Sequence, residues 1–546
     1  RVGAGIQFFR KNLGVASLKV DVLQTQIDYL GKKAGFYSNL KQNGFELEAN
    51  LSYLQSQNLM SNTSFLRHKF LLAKHFKYFT LGISENAETN KWTSNNTDSL
   101  GFNSFSFNEL SAFFNEPDSS KQKYFIIYKL REDKLPFNNN LETYSNSKDL
   151  SAGLSLIQKK GIRLNTRLNY RELAIKDSLN KFFNNENALS GRAELQLQLF
   201  KNSITWSSFY ETGFGFETKK DYQYIEVATG QGQFTWIDYN KNGIKELDEF
   251  EIAKFADEAN FIKIVLPGLE TEKIFLSQLN QSINLQADRV WSKSAGFKGF
   301  LAHFSNRFAF NIIQKANHDD YFPDLTDNPD IISLNWNLRN VFSFRSTNRN
   351  WQIDYIYDER KFKIPLVSGI EYKEQFKNSV KLKWKIKKQF TLFNTSSMGE
   401  QSNFSELFSW KSYKINSVSN KIAFQFQPKI NHFGKISYRY SGKLNSMSIE
   451  KAETHEVKLS YNQNIFKKGS VQASFSTINV FYNSDDLSTI SYEMLDGLQP
   501  GQNMLWELIY NQRLSDVFQL SVNYTGRVSE NNPVIHYGGV QIRANF

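Results

Sequence analysis

The chain has 546 residues, no cysteine, 9 prolines, and 66 basic against 54 acidic side chains, for a formal charge of +12. The lack of cysteine excludes a disulfide scaffold and any thiolate metal site, and no run approaches the ~18 consecutive apolar residues of a membrane helix. Aromatics make up 15% of the chain while the whole hydrophobic share is only 40%, unlike soluble cores, which lean as much on aliphatic side chains.

Taken in order, the segments alternate apolar and polar residues. Residues 2–9 read as a strand. Phe45, Leu47, Ala49, Leu51 and Tyr53 alternate with Glu46, Glu48, Asn50 and Ser52. Ile162, Leu164, Leu168 and Tyr170 alternate with Arg163, Asn165, Arg167, Asn169 and Arg171. Ala193, Leu195, Leu197 and Leu199 alternate with Glu194, Gln196 and Gln198. Val380, Leu382, Trp384 and Ile386 alternate with Lys381, Lys383, Lys385 and Lys387. Phe518, Leu520, Val522 and Tyr524 precede a last strand with Val540, Ile542, Ala544 and Phe546 on one face.

Period two over about ten residues is a strand with one apolar and one wet face. Soluble sandwiches also alternate, but their strands are shorter, about 5–6 residues. Strands of ~9–11 residues suit a tilted bilayer crossing. A basic residue at every second position suits a watery lumen, with the apolar face turned to lipid. The expected fold class is therefore all-β, a transmembrane antiparallel β-barrel. Lys381, Lys383, Lys385, Lys387, Arg163, Arg167 and Arg171 would line its lumen, where they either bias a pore toward anions or merely hydrate it beside Glu46, Glu48 and Glu194.

Connections alternate in length. Turns are expected at 159–161, 201–202, 292–296, 346–350, 387–389, 467–469 and 515–516. Longer loops are expected at 131–147, 176–188, 315–331, 447–455 and 482–503, with the longest insertion at 215–273. Short periplasmic turns and long outer loops are the barrel pattern, which puts the C-terminus in the periplasm. We count about 25 strands, roughly 22–26 after allowing for a merged or split pair. One barrel over 1–546 with one elaborated extracellular loop is expected, with no solenoid repeat.

The insertion carries the one sharp motif. Asp238, Asn240, Asn242, Gly243, Glu246 and Glu249 match the calcium-loop pattern D-x-[DN]-x-[DN]-G-x5-E in full. Calcium takes six to eight hard oxygens. Asp238, Asn240 and Asn242 offer side-chain oxygens, Ile244 its carbonyl, Glu246 a direct or water-mediated oxygen, and Glu249 a bidentate closure. The bland alternative is a solvated acidic turn. Residues 234–237 read as a strand and 250–258 as a short helix, so an isolated structural calcium loop at 238–249 is expected.

The chain ends in Phe546 with apolar residues at every second position before it. Val540, Ile542, Ala544 and Phe546 resemble the terminal strand that the barrel-assembly machinery of Gram-negative bacteria recognises by strand addition. The run from Tyr492 through Asp496, Gly497, Pro500, Gly501, Trp506, Gln512, Tyr524, Arg527, His536, Gln541 and Arg543 resembles the end of large outer-membrane barrel proteins of the Bacteroidota. That resemblance covers about a tenth of the chain. It implies an outer-membrane location, with the bilayer and lipopolysaccharide as surroundings. Such proteins are often longer at the N-terminus, which would fit the start at Arg1, where no leader pattern is read.

Catalytic constellations are not found. The seven histidines (His68, His75, His303, His318, His432, His455 and His536) have no metal-site spacing, and the His318-Asp319-Asp320 run reads as solvated loop. No nucleophile elbow or phosphate loop stands out, so no enzyme is expected. Dispersed charge without a motif excludes nucleic acid as a partner. A barrel this wide needs something in its lumen, and no plug-sized segment precedes the first strand in this numbering. The insertion is the internal candidate. The first expectation is a non-enzymatic subunit of an envelope assembly, secretion or surface-export complex that binds protein partners through its loops. The second is a gated channel or transporter for a bulky solute, TonB-dependent in type if a plug lies upstream of Arg1. The third is an adhesive barrel displaying the calcium-bound loop.

Overall fold

The computed structural model describes the chain apart from residues 26–28, 118–121, 159–160, 177–185, 318–321, 325–329, 347, 349, 367–368, 466–468, 485–487, 516, 531 and 545–546. Phe546 and the His318-Asp319-Asp320 run therefore lie outside the described residues. The chain divides into two compact units. The first is Arg1–Leu197 with Ser208–Phe214, and the second is Gln198–Ser207 with Gly215–Phe546.

In the first unit the strands are β1 (Val2–Arg10), β2 (Gly14–Gln24), β3 (Leu30–Gln42), β4 (Phe45–Gln57), β5 (Ser61–His75), β6 (Thr80–Ser94), β7 (Phe105–Asn115), β8 (Lys123–Phe137), β9 (Asn140–Gln158), β10 (Ile162–Ile175) and β11 (Glu186–Leu199). Each pairs antiparallel with the next. β12 (Ile204–Glu226) contributes to both units.

The second unit continues with β13 (Phe234–Trp236), β14 (Phe250–Ile252), β15 (Phe261–Gln286), the short helices α1 (Asp288–Trp291) and α2 (Gly296–Leu301), β16 (Phe304–Ala316), β17 (Ile331–Arg345), β18 (Trp351–Leu366), β19 (Gly369–Lys387), β20 (Phe390–Ser405), β21 (Tyr413–Lys429), β22 (His432–Asn445), β23 (Lys451–Ile465), β24 (Gly469–Tyr482), α3 (Thr489–Met494), β25 (Gly501–Arg513), β26 (Phe518–Ser529) and β27 (Ile535–Ala544). From β15 to β27 the ladder is again antiparallel between successive strands. Of the 27 strands among the described residues, β13 and β14 are three-residue strands of the insertion. The other 25 fall within the expected range.

Strand pairing holds successive side chains on alternate faces. Across β19 to β26 the register puts Lys381, Gln401, Ile415, Lys443, Ala452, Ile478, Leu505 and Arg527 on one face. The other face is apolar and bare: Ile422 is 47%, Val540 69% and Ile542 63% exposed. A continuous band of exposed Phe, Leu, Ile, Val and Tyr is a lipid-facing surface, not a soluble one. This is the fold class of a transmembrane antiparallel β-barrel. No described helix is long and apolar enough to cross a membrane.

Four local expectations need correction. Residues 131–147 are not a loop. β8 and β9 run on as a hairpin closed by Asn138 and Asn139, at φ 46° and 67°, the left-handed pair that a tight two-residue hairpin turn requires. The connection at 292–296 is not a tight turn between strands, since it joins α1 to α2 within a longer excursion from β15 to β16, with Phe300 packed on Phe304 and Phe344. The insertion is narrower than 215–273. β12 neighbours β15 in the sheet, and the excursion between them is 227–260, because β12 runs on to Glu226 and β15 begins at Phe261; Tyr224 near the end of β12 stacks on Phe250 at 4.0 Å. Residues 250–258 are not a helix. Phe250–Ile252 is β14, paired antiparallel with β13, so strands flank the 238–249 turn on both sides.

Candidate functional site

The inward face of the second unit changes character toward the end that carries the insertion. On β24 it reads Gln472, Ser474 and Ser476, then Ile478 and Val480. On β21 it reads Tyr413 and Ile415 before Ser417 and Ser419. Tyr413, Ile415, Ala452, Ile478 and Val480 form a buried cluster with Met494 and Leu495 of the α3 loop. A polar face turns apolar there because a segment of the same chain covers it. Ser488 caps α3, accepting from Ser491 N at 3.1 Å.

The insertion docks on that platform. Lys254 N donates to Tyr492 Oη at 3.0 Å, and Lys254 Nζ lies 2.9 Å from Glu493 Oε2. Glu493 Oε1 accepts from Gln401 Nε2 at 3.1 Å, and the same amide donates to Tyr413 Oη. Lys411 Nζ reaches Glu251 at 3.1 Å. Arg527 Nη2 donates to Asp257 at 2.7 Å and also to Glu258, while its guanidinium lies 4.2 Å from the centre of the Phe255 ring. Lys443 pairs with Asp496 at 3.0 Å. Gly497, at φ 75°, lets the loop pass close to Lys254, whose Cβ would lie 3.0 Å from a Cβ at that position.

Burial pushes the Glu251 carboxyl up from the usual carboxylate range, with Lys411 opposing. Burial likewise raises Glu258, against Arg527. Burial also acts on Glu493, but Lys254, Gln401 and Lys443 outweigh it and hold that carboxyl low. Burial pushes the Tyr239 and Tyr492 phenols up. The network thus places both signs of charge in a poorly solvated seam, where pairs hold only if each partner is in place.

Between the insertion, the α3 loop and the β26–β27 connection lies a cleft of about 440 Å³. Trp236, Tyr239 and Tyr492 offer aromatic surface, and Glu258, Arg527 and Asn532 offer polar groups. Stacking faces beside hydrogen-bonding groups are the chemistry of a polar-solute subsite.

The calcium-loop residues are brought together in part. Asp238 accepts from Asn242 N at 3.1 Å and from Gly243 N at 2.9 Å. Asn240 accepts from Asn242 N, and Asn242 accepts from Ile244 N at 2.6 Å. Glu246 Oε2 accepts from the Asn240 amide at 2.6 Å. Glu249 sits behind the turn, 2% exposed, bonded to the Trp236 indole at 2.8 Å. Among the described residues no three His, Cys, Asp or Glu side chains form a metal-holding group.

The basic side chains of β10 and β19 are interleaved with acids of neighbouring strands. Arg171 lies 3.5 Å from Asp149, and Lys129 lies 2.9 Å from Glu109. Arg167 stands opposite Arg192, whose guanidinium is bonded to Glu194 at 2.9 Å. Lys381 stands opposite Asp354, and Lys383 and Lys385 follow on the same face of β19, whereas a register irregularity after Lys385 sets Lys387 opposite Phe390. Arg163 shares the Arg167 face. Val540, Ile542 and Ala544 share one face of β27.

Sequence reasoning missed Glu251, Lys254, Asp257, Glu258, Lys411 and Glu493 as a set. The signal that could have found them is the apolar interruption of the polar phase at Ile478, Val480, Tyr413 and Ile415, which marks a covered lumen wall.

No protein-family model and no curated protein matches the chain. Among solved structures it is similar to the copper transporter OprC, with 8% identity and a TM-score of 0.32 over 95% of this chain and 74% of that one. It is similar to the ferric-catecholate import receptor Fiu from E. coli K12, with 9% identity and a TM-score of 0.30 over 94% and 77%. It is also similar to Salmonella typhi OmpF, with 10% identity and a TM-score of 0.28 over 76% and 98%. Similarities at this level carry no argument about substrate, and the functional reading stands on the docked insertion.

Proposed function

We propose that the chain is a bacterial outer-membrane β-barrel acting as a gated channel or transporter for a bulky polar solute, with residues 227–260 as the gate. The observation that carries this is the attachment of the insertion to the inward face, through Arg527 to Asp257 and Glu258 and through Lys254 to Glu493. Barrels of 16–18 strands already leave an aqueous channel, and 22-stranded ones hold a plugged lumen. A barrel with still more strands needs a closure, and a segment tied to the lumen wall by ion pairs supplies one that can be released. The docking moves this reading ahead of the assembly-subunit reading, which the sequence alone put first. In it the long loops and the gate face outward, and the C-terminal strand ends on the periplasmic side.

The test is conductance in planar bilayers. Arg527→Ala and Lys254→Ala each remove an anchor of the insertion, and the double variant is expected to open far more often than wild type. Equal conductance in wild type and the double variant would overturn the gate.

A further inference from the structure

The turn at 238–249 lies in the gate, yet neither the ion-pair network nor the channel reading uses its chemistry. Three successive Asx side chains there accept backbone N–H groups further along the turn. This nests the loop around its own oxygens. Lys241 and Gly243 are left-handed, at φ 59° and 73°, and a Cβ on Gly243 would meet nothing within 4 Å. The requirement for glycine there is thus conformational and not steric. Lys245, between Ile244 and Glu246, pairs with Glu226 at 2.8 Å.

A separate observation comes from Glu249. Its side chain is 2% exposed. One carboxylate oxygen accepts from the Trp236 indole at 2.8 Å and faces the loop backbone at Glu246 N, 3.5 Å away. The other oxygen, Oε1, is buried with no hydrogen-bond partner among the described residues. A carboxylate oxygen withdrawn from water and left unpaired is costly. Its position in the sequence is that of the bidentate closing ligand, eleven residues after Asp238.

We infer that residues 238–249 form a binding site for one calcium ion. Asp238, Asn240, Asn242 and Glu246 supply side-chain oxygens, Ile244 its carbonyl, and Glu249 the closing carboxylate with its orphaned oxygen. Hard oxygens in this number, with two neutral amides among them, suit calcium over the smaller and more rigidly octahedral magnesium. The ion replaces the missing partner of Glu249 and ties the two ends of the turn together. That holds Trp236 and Tyr239 in the wall of the cleft. The site stands on its own donors and does not depend on the gate reading.

The test uses the full chain in detergent, stripped with chelator and titrated with terbium and then calcium. Trp236 lies against Glu249, so bound terbium should show tryptophan-sensitised emission, displaced by calcium at far lower concentration than by magnesium. Glu249→Gln and Asp238→Asn keep size and hydrogen bonding, and each should weaken calcium binding at least tenfold. Trp236→Phe should lose the sensitised emission, which identifies Trp236 as the light-absorbing neighbour of the ion. The inference is overturned if wild type shows no saturable calcium site, if both acid variants bind as wild type does, or if magnesium competes equally. Calcium binding with no effect on conductance would uphold the site and leave the ion-pair gate to its own test.

Discussion

Arg527 of β26 and Asp257 of the insertion are 270 residues apart in sequence and 2.7 Å apart in space. The guanidinium sits on the inward face of the strand, and it holds Glu258 as well. One strand residue thus anchors two consecutive acids of a segment that would otherwise extend from the sheet.

Arg527→Ala should loosen the insertion more than any single surface change. It leaves two acids without their cation in a poorly solvated seam, a loss of about 2 kcal/mol for partly buried groups. That is roughly thirtyfold in the undocked population. Limited proteolysis within 227–260 should speed up accordingly, and Arg527→Lys should recover only part of the effect because it loses the fork geometry. Unchanged cleavage in the alanine variant would remove Arg527 as the anchor.

Docking should weaken on both sides of the ordinary carboxylate range. Glu251 and Glu258 are raised by burial. Their contribution is therefore full below the unperturbed value and lost as pH rises through the raised ones. Glu493 is lowered, so its contribution is present above the unperturbed value and lost as pH falls through the lowered one. Hydrogen exchange of the insertion against pH should show both limbs. Glu493→Gln should flatten the acid limb and Glu251→Gln the upper one. A profile identical in all three proteins would refute the assignment.

Tyr492→Phe removes the acceptor of the Lys254 backbone N–H and the contact with Glu258. An amide losing its partner in such a seam costs about 1–2 kcal/mol. The variant should open the insertion about tenfold by proteolysis while leaving strand formation, read by far-UV circular dichroism, as in wild type.

The two faces of β21 should respond oppositely to charge. Ile422→Arg places a cation on the lipid side near mid-strand, where the cost is about 2–4 kcal/mol at the bilayer midplane. Ser419→Arg places it on the wet side beside Lys421. Folding into lipid vesicles, read by gel mobility, should fall sharply for the first and hardly change for the second. Equal yields would contradict the assignment of faces.

Much of the fold was legible because alternation is a local property. Phe45 through Tyr53, Val380 through Ile386 and Phe518 through Tyr524 each announce a strand and its two faces without any knowledge of neighbours. Loops were less legible. The 131–147 segment, charged and rich in asparagine, reads as solvated chain, yet Asn138 and Asn139 close a hairpin that continues β8 and β9. Residues 250–258 lack a strand pattern longer than Phe250–Ile252, and β14 exists because β13 is there to pair with it.

The sequence by itself determined the strands, their amphipathic faces and the donor pattern at 238–249. Each follows from residues within a few positions of one another. Only the tertiary structure decided that the insertion lies against the inward face, that Lys254 meets Glu493 and Arg527 meets Asp257, and that Glu249 is buried with an oxygen to spare. Those facts depend on which distant strands close around the segment. Salt bridges across hundreds of residues leave no periodic trace in the chain, because any acid satisfies any base until packing chooses the pair.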